Sequence, residues 1–465
     1  MSSHAVPSLS KARSFLAEHG PALAVLGMAI ALAALTYQQF LAVDRHLWDN
    51  STHDRNAHYL YSLRLATDAQ NLRVFSFLDD INQARVWPPL QGLATACVLL
   101  VGGLDYRLAV LPSLAAWVGT VFFSYLLAKR AVPQGGVLAG LVAALFIVAS
   151  PAHRAFATDI MLESGGACLT LVVLYAYLIL VQANPRAVWT GRCLGLALTL
   201  LFLQKYNYWM VALAALVATE FTQHPQARLQ FVWNIVKGID WRQRLLGQFR
   251  RPLNYVLVAI LGVVAVVMAH GNQPILLSGR EVSLYPPHNI LNAAYVVFFL
   301  RLAFWWYSEG RAWAARLDGR VRQLLLWHAG PLAVWFLLPK HVGYFLWYVS
   351  PANAADDQRS TLLERVQFYT PCIVQDYHQA LWCAALAAGL ILVAVLAGRR
   401  LNAGGQVVLC LFLVGTLLTA LHPNYKSRNL HSWLATGWVL AGIGAAALVY
   451  GRLTIRIPQA RRLWQ

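Results

Sequence analysis

The sequence predicts an all-α membrane protein, a bundle of helices that crosses the bilayer many times. Of its 465 residues, 58% are hydrophobic and only 12% are charged, whereas soluble domains carry about 25% charged residues. Apolar runs of membrane-spanning length recur along the chain, for example at residues 107–128, 160–181 and 431–450. A transmembrane β-barrel would show short strands of alternating polarity instead, so these observations favour a helical bundle.

The net charge of +18 has two explanations. A soluble protein with this surplus would be a candidate for nucleic-acid binding. In a membrane protein, Lys and Arg accumulate in cytoplasmic loops, which explains the surplus more simply, and we expect no nucleic-acid partner. The six cysteines show no CxxC or other metal-binding spacing and are interpreted as small packing residues.

The basic clusters predict the orientation of the chain. Lys11 and Arg13 place the N-terminus in the cytoplasm, and residues 222–252, with six basic residues against one acid, form the main cytoplasmic loop. Residues 41–89 and 339–377 carry acids and bases in similar numbers. These two segments are therefore predicted to be periplasmic loops.

Twelve crossings satisfy this charge distribution and leave both termini in the cytoplasm, within a single membrane domain that spans residues 1–465. The crossings are placed near residues 21–40, 107–128, 135–150, 160–182, 191–204, 207–221, 253–269, 289–307, 324–338, 378–397, 405–421 and 431–450. The apolar segment 90–104 follows Pro88 and Pro89 and is only 15 residues long. We expect it to lie in, or dip into, the outer leaflet.

Four polar clusters share the outer side of the membrane in this topology. They are "HDRNAH" with Asp54 and His58, "HRAFATDIMLE" with Arg154, Asp159 and Glu163, "QKYNYW" with Lys205, and "HPNYKSRN" with Lys426 and Arg428; Arg85 adds a further base to the first loop. Ionisable residues at membrane segments are costly and therefore indicate function. The combination suits chemistry on a lipid-linked phosphate, with bases that bind the phosphate and acids that accept a proton or hold a cation.

Each cluster taken alone also has a purely structural interpretation. Asp54 could be a solvated loop acid and His58 a satisfied loop histidine, while Lys205 could extend to the lipid headgroups. Asp159 and Glu163 are four residues apart, so one helix face could carry both, with Arg154 as their partner. The order of the clusters along one face of the membrane favours the functional interpretation over this one.

The order of these segments resembles the GT-C glycosyltransferases, specifically bacterial relatives of the protein O-mannosyltransferases and of the lipid A aminoarabinose transferase. The likeness covers most of residues 20–220 and 405–450, and it depends on "HDRNAHYLY", "WPPLQGLATA", "LGLALTLLFLQKYNYWMV" and "HPNYKSRNLHSWLATGWVLAG". Three positions depart from the family. Arg55 stands where many relatives have Glu, Trp87 where a base is frequent beside Pro-Pro, and Asn429 where Tyr is frequent.

The resemblance implies a GT-C bundle with amphipathic helices in the first periplasmic loop. It also implies sugar transfer with inversion from a polyprenyl-phosphate donor to an envelope glycan, lipid or protein, on the periplasmic face of a bacterial inner membrane. The expected roles follow: Asp54 is the general base, and Arg85, Lys426 and Arg428 bind phosphate. Further substrate contacts are expected from His58, Arg154, Asp159, Glu163 and Lys205. Whether Asp54, Asp159 and Glu163 hold a divalent cation, Mg or Mn, is left open.

Two other functions compete with this interpretation. A transporter or flippase of lipid-linked sugar needs a polar path through both leaflets, whereas the ionisable clusters collect at one face. An O-antigen ligase or polymerase has its key bases in a late loop, and residues 339–377 are not dominated by Arg. The sugar, the acceptor and the oligomeric state do not follow from the sequence.

Overall fold

The structure is a computed structural model. It describes residues 9–43, 54–84, 87–184, 186–238, 247, 251–271, 275–277, 280–282, 287–349, 361–397, 401–422 and 425–450. Each of the twelve segments predicted to cross the membrane coincides with a helix. The predicted helical membrane fold is thereby confirmed.

The helices are numbered in chain order. They are α1 (Leu9–Val43), α2 (Asp54–Gln70), α3 (Val74–Gln83), α4 (Leu90–Gly102), α5 (Leu111–Ala131), α6 (Gly136–Ala149), α7 (Pro151–Ala157), α8 (Leu162–Gln182), α9 (Trp189–Gln204), α10 (Tyr206–Gln223), α11 (Pro225–Gly238), α12 (Pro252–His270), α13 (His288–Trp305), α14 (Arg311–Ala315), α15 (Gly319–Trp335), α16 (Pro339–Val349), α17 (Leu362–Pro371), α18 (Leu381–Leu396), α19 (Ala403–Leu421) and α20 (His431–Val449). Short 3₁₀ turns cover Leu108–Val110 and Ser427–Leu430, and π-helical turns cover Trp306–Gly310 and Cys372–Tyr377.

A small β-hairpin is an element that the sequence analysis did not predict. Strands β1 (Ile275–Leu277) and β2 (Arg280–Val282) pair antiparallel, with Ile275 opposite Val282. Three residues per strand is too short for a hydrophobic periodicity to be recognised in the sequence.

Length and apolar composition determine which helices can cross a bilayer. Within the described residues, seven helices are long and apolar enough to cross, or up to ten if each of three sharply bent helix pairs forms one crossing. One of these pairs, α6 and α7, bends by 69°. Helix α4 has 13 residues, about 20 Å at 1.5 Å per residue, which is shorter than the hydrocarbon core of about 30 Å. Its predicted position in the outer leaflet is compatible with this length.

The chain divides into two compact units. The first comprises residues 1–184, 196–219 and 347–465, and the second comprises residues 185–195 and 220–346. The predicted single membrane domain stays a prediction. All the residues discussed below as a candidate site belong to the first unit.

The last helix, α20, forms the centre of the first unit. Most of its side chains are buried, among them Trp438, and it packs against α5, α6, α8, α18 and α19. A Cβ at Gly442 would lie 2.1 Å from the Ala139 carbonyl oxygen, and one at Gly444 would lie 2.0 Å from the Leu390 carbonyl oxygen. Small residues at these positions therefore let α20 approach two neighbouring helices closely, as is typical of membrane bundles.

Of the predicted amphipathic helices in the first loop, α3 is amphipathic and α2 is not. Helix α2 packs against α3 and α4, whereas α3 has no buried residue and its Phe75 side chain is 89% exposed. An apolar helix face of this kind is typical of a helix that lies in the membrane interface. Helix α4 thereby holds α2, which begins at Asp54, beside the core of the unit.

Candidate active site

One cavity of about 720 Å³ brings together most of the sequence-predicted site residues. It is lined by Asp54, His58, Glu163, Lys205, Lys426 and Arg428, which come from four separate parts of the chain. The lining also includes the apolar side chains of Met210, Val211, Ala214, Leu418 and Leu421. The cavity therefore joins a charged end to a hydrophobic side.

The charged end is a continuous chain of ion pairs. The Arg428 Nη1 donates to Asp54 Oδ2 at 2.7 Å, and the Arg428 Nε lies 3.9 Å from Glu163 Oε1. The same Glu163 oxygen accepts from Lys205 Nζ at 2.6 Å. With Lys426 included, the cavity lining carries one more positive charge than negative, which suits an anionic ligand.

Helix ends position these groups. Asp54 and Glu163 lie in the first turns of α2 and α8, where the helix dipole favours a negative charge. Lys205 occupies the one-residue break between α9 and α10, and Arg428 lies in the 3₁₀ turn before α20. Because none of these backbones is in the middle of a helix, the side chains can point into a common space.

A buried amide network fixes the break that carries Lys205. The Gln204 Nε2 donates to the carbonyl oxygen of Leu162 at 3.1 Å and to Gln91 Oε1 at 3.2 Å. Leu162 precedes Glu163, so this one side chain ties together the backbones next to both members of the Lys205–Glu163 pair. The Lys205 ammonium also lies 4.7 Å from the centre of the Tyr208 ring, close enough for a cation–π interaction.

A second ion pair holds the first loop against the core. Arg55 binds Asp159 in bidentate fashion, with Nε to Oδ1 at 2.5 Å and Nη2 to Oδ2 at 2.8 Å. The planar guanidinium matches the two carboxylate oxygens in this geometry. Arg55 thus anchors the start of α2 and the neighbouring Asp54.

The structure corrects the predicted arrangement of the second acidic cluster. Asp159 lies in the break between α7 and α8, whereas Glu163 lies in α8, so the two do not share a helix face. Arg154 is exposed, and the partner of Asp159 is Arg55. Neither Arg154 nor Asp159 is among the residues that line the cavity.

Two other groups of residues complete the comparison with the sequence. Arg85 lies outside the described residues. The cavity lining also includes Trp87, Tyr208 and Tyr348, which the sequence analysis did not single out as site residues. Trp87 precedes Pro-Pro and Tyr208 lies beside a polar cluster, whereas Tyr348 has no such neighbour in the sequence. Aromatic residues are common throughout membrane proteins.

The carboxylates do not offer a vacant set of metal ligands. Both oxygens of Asp159 are held by Arg55, and Asp54 and Glu163 are paired with Arg428 and Lys205. The described part of the chain contains no group of three His, Cys, Asp or Glu side chains that could hold a metal ion. Two cations within contact of the acids would also repel a divalent ion. In this arrangement each of the three acids is therefore already paired with a protein cation.

Asp54 and His58 differ in what controls their protonation. Burial alone would raise the pKa of Asp54, but the hydrogen bond and charge of Arg428, with the charges of His58 and Lys426, outweigh it and lower that pKa. Burial lowers the pKa of His58 to about 4, against the opposing effect of Glu163 and Asp54. At neutral pH, Asp54 is ionised and His58 is neutral.

These shifts predict the pH dependence of any reaction that uses Asp54 as a base. The lowered pKa means that ionised Asp54 stabilises the fold fully above its unfolded pKa of about 3.9, and that this contribution is lost as the pH falls through the folded pKa. We expect kcat/KM to be flat from about pH 5.5 to 8. We also expect His58→Gln to leave the shape of this profile unchanged. An acid limb near pH 6.5 that disappears in His58→Gln would contradict this assignment.

Comparisons with known proteins give a likeness of fold. Archaeal oligosaccharyltransferase AglB from Archaeoglobus fulgidus, in complex with an inhibitory peptide and a dolichol-phosphate, is 13% identical and aligns over 94% of this chain and 51% of its own, with a TM-score of 0.44. ArnT from Cupriavidus metallidurans bound to undecaprenyl phosphate is 15% identical and aligns over 91% of this chain and 78% of its own, with a TM-score of 0.33. No protein-family model and no curated protein matches the sequence.

The chain spans about half the length of the oligosaccharyltransferases that it resembles. These solved structures are of the family that the sequence resemblance predicted. The identities and TM-scores are too low to give this chain a reaction or to assign a role to any of its residues.

Proposed function

We propose that the chain is an inverting glycosyltransferase that uses a polyprenyl-phosphate-linked sugar as donor. The observation that carries this proposal is the cavity that places the Asp54 carboxylate 2.7 Å from Arg428 and also presents an apolar wall. A donor of this class has an anionic phosphate, a sugar and a long hydrocarbon chain. The cavity offers a cation, a carboxylate and a hydrophobic surface in the corresponding arrangement.

The donor phosphate is bound by Arg428 and Lys426. Arg428 can bind a phosphate through two parallel hydrogen bonds, and the exposed Lys426 adds a second positive charge at the cavity mouth. The first units of the polyprenyl chain pack along Val211, Leu418 and Leu421. The net positive charge of the lining offsets the charge that develops on the phosphate as it leaves.

In the transfer step, the acceptor hydroxyl oxygen attacks the anomeric carbon of the sugar from the face opposite the phosphate. Asp54 takes the hydroxyl proton, a new carbon–oxygen bond forms, and the bond from the anomeric carbon to the phosphate oxygen breaks. The electron pair leaves with polyprenyl phosphate, which remains on Arg428. Because the attack occurs from the opposite face, the anomeric configuration inverts.

The donor also activates the base. Before it binds, Arg428 holds Asp54 and lowers its basicity. A phosphate on Arg428 competes for the same guanidinium and weakens that hold, so Asp54 becomes a better proton acceptor once donor is present. Glu163 has a different role. Its Oε2 is buried and has no hydrogen-bond partner within the described residues. In the complex this oxygen accepts a hydrogen bond from a hydroxyl group of the bound sugar.

In this proposal the reaction takes place at the outer face of a bacterial inner membrane, as the loop charges predict. Both termini are cytoplasmic, and the acceptor is an envelope glycan, lipid or protein. In this assignment no divalent cation takes part, because protein cations already neutralise each acid. Arg428 and Lys426 supply the electrostatic stabilisation of the leaving group.

A matched pair of arginine variants tests the proposal. Cells carrying Arg428→Gln are expected to lose the transferred sugar from their membrane glycolipids or surface polysaccharide and to accumulate donor, because the phosphate loses its main contact. Arg154→Gln removes an equal charge from an exposed position outside the cavity and is expected to behave as wild type. Mass spectrometry of lipid and polysaccharide fractions measures both. Identical glycan profiles with and without the chain would contradict the proposal.

A further inference from the structure

A second, smaller cavity lies directly against the first. Its volume is about 280 Å³, and it shares His58, Trp87 and Pro88 with the larger cavity. The rings of His58 and Trp87 meet edge to face, with their centres 4.8 Å apart. These residues form a partition with the catalytic cavity on one side and the small cavity on the other.

The walls of the small cavity combine flat aromatic surface with a few polar groups. Beyond the shared residues, it is lined mainly by Ala57, Tyr61 and Gln83. A pyranose ring has an apolar face of C–H groups that packs on aromatic rings and an edge of hydroxyl groups that needs hydrogen bonds. Most ligand sites combine apolar walls with a small number of placed polar groups in this way.

Tyr61 supplies an unused polar group. Its hydroxyl is buried and has no hydrogen-bond partner within the described residues. Leaving a buried hydroxyl unpaired is unfavourable, so such a group calls for an explanation. The ring is held in place against α4, because a Cβ at Gly92 would lie 2.4 Å from two of its carbon atoms. The ring lines the small cavity, and a ligand there would have to widen the cavity at the hydroxyl to give it a partner.

We propose that the small cavity binds one sugar ring of the acceptor. This inference rests on the proposed function, since it requires a reaction that consumes an acceptor hydroxyl. None of the described residues that line the cavity is charged, which favours a neutral ring over a phosphate or carboxylate group. The acceptor is therefore a glycan or glycolipid that presents a neutral sugar next to the attacking hydroxyl.

The partition of His58 and Trp87 explains how the acceptor sugar would present a hydroxyl to Asp54. Asp54 and His58 are four residues apart in α2, so both side chains lie on one face of the helix. His58 lines both cavities. A ring stacked on Trp87 can direct a hydroxyl past His58 toward Asp54. His58 is then a positioning residue that sets which hydroxyl arrives there.

The test measures sugar binding separately from transfer. Saturation-transfer NMR is recorded on the protein in lipid nanodiscs with the methyl glycosides of glucose, galactose, mannose and N-acetylglucosamine. We expect magnetic saturation to pass from the protein to at least one of these glycosides. Ala57→Leu places a larger side chain in the small cavity and is expected to weaken that binding at least about tenfold. Tyr61→Phe is expected to weaken it about three- to tenfold, because one hydrogen bond is lost. Binding of polyprenyl phosphate is expected to change less than about twofold in both.

Ala69→Leu is the matched control, since Ala69 lies on the same helix at similar burial and lines neither cavity. Absence of sugar binding to the wild type, or equal losses in Ala57→Leu and Ala69→Leu, would overturn the inference. Loss of polyprenyl-phosphate binding in Ala57→Leu would also overturn it and would assign the small cavity to the donor. If sugar binds as expected but no donor is ever consumed, the small cavity is a sugar site, and the proposed function fails together with the acceptor role of that site.

Discussion

Asp54→Asn is expected to lower the rate of sugar transfer by about two to four orders of magnitude, the range that a positioned general base contributes. The amide keeps the size of the side chain but cannot accept the hydroxyl proton. It also no longer competes for Arg428, so polyprenyl phosphate should bind at least as tightly as to the wild type. The measurement is a single-turnover transfer assay together with equilibrium donor binding.

Asp105→Asn is the matched control for this substitution. Asp105 is exposed and does not line the cavity, so its variant should transfer sugar at the wild-type rate. A fast Asp54→Asn enzyme would exclude Asp54 as the base. A slow variant that has also lost donor binding would instead assign Asp54 to the donor site.

Glu163→Gln is expected to destabilise the protein by about 3–5 kcal/mol, the usual cost of breaking a buried ion pair. The Glu163 side chain is 1% exposed and that of Lys205 is 11% exposed, so the Lys205 ammonium would be left without its carboxylate in a region that excludes water. Replacing both residues by Met is expected to recover most of this loss in stability, because no uncompensated charge remains. Unfolding in mixed detergent micelles, followed by circular dichroism, measures each free energy.

An exposed ion pair provides the comparison for this effect. Arg228 and Glu220 are in contact at 2.5 Å with side chains 44% and 32% exposed, and such pairs contribute about 0–1 kcal/mol. Glu220→Gln should therefore have almost no effect on unfolding. If the double Met variant were destabilised by the sum of the losses in Glu163→Met and Lys205→Met measured alone, the Lys205–Glu163 contact would not be a coupled pair.

The sequence was sufficient to locate the helices and to predict that the polar clusters lie at the same ends of those helices. Apolar runs identify membrane helices directly, and loop charges predict which ends of those helices share a side. That prediction places Asp54 near Arg428, and in the structure these residues form a hydrogen bond across 374 positions of sequence. Long-range proximity of this kind follows from topology even without knowledge of helix packing.

The partner of each charge could not be predicted in the same way. The placement of Asp159 and Glu163 on one helix face assumed an unbroken helix. In the structure the helix is interrupted between α7 and α8. Arg55 was noted only as a departure from the family pattern, and its bidentate contact with Asp159 is 104 positions distant. The small cavity depends on how the rings of Tyr61 and Trp87 pack, and no sequence periodicity encodes such packing.

The most direct test of the proposed reaction follows the donor itself. The purified protein is placed in liposomes with a radiolabelled polyprenyl-phosphate sugar and an extract of membrane acceptors, and the products are separated by chromatography. The proposed function predicts that label moves to an acceptor while an equal amount of polyprenyl phosphate is released, and that Asp54→Asn stops both. Intact donor that merely crosses the bilayer, with no sugar transferred, would contradict the proposed function and favour a transporter.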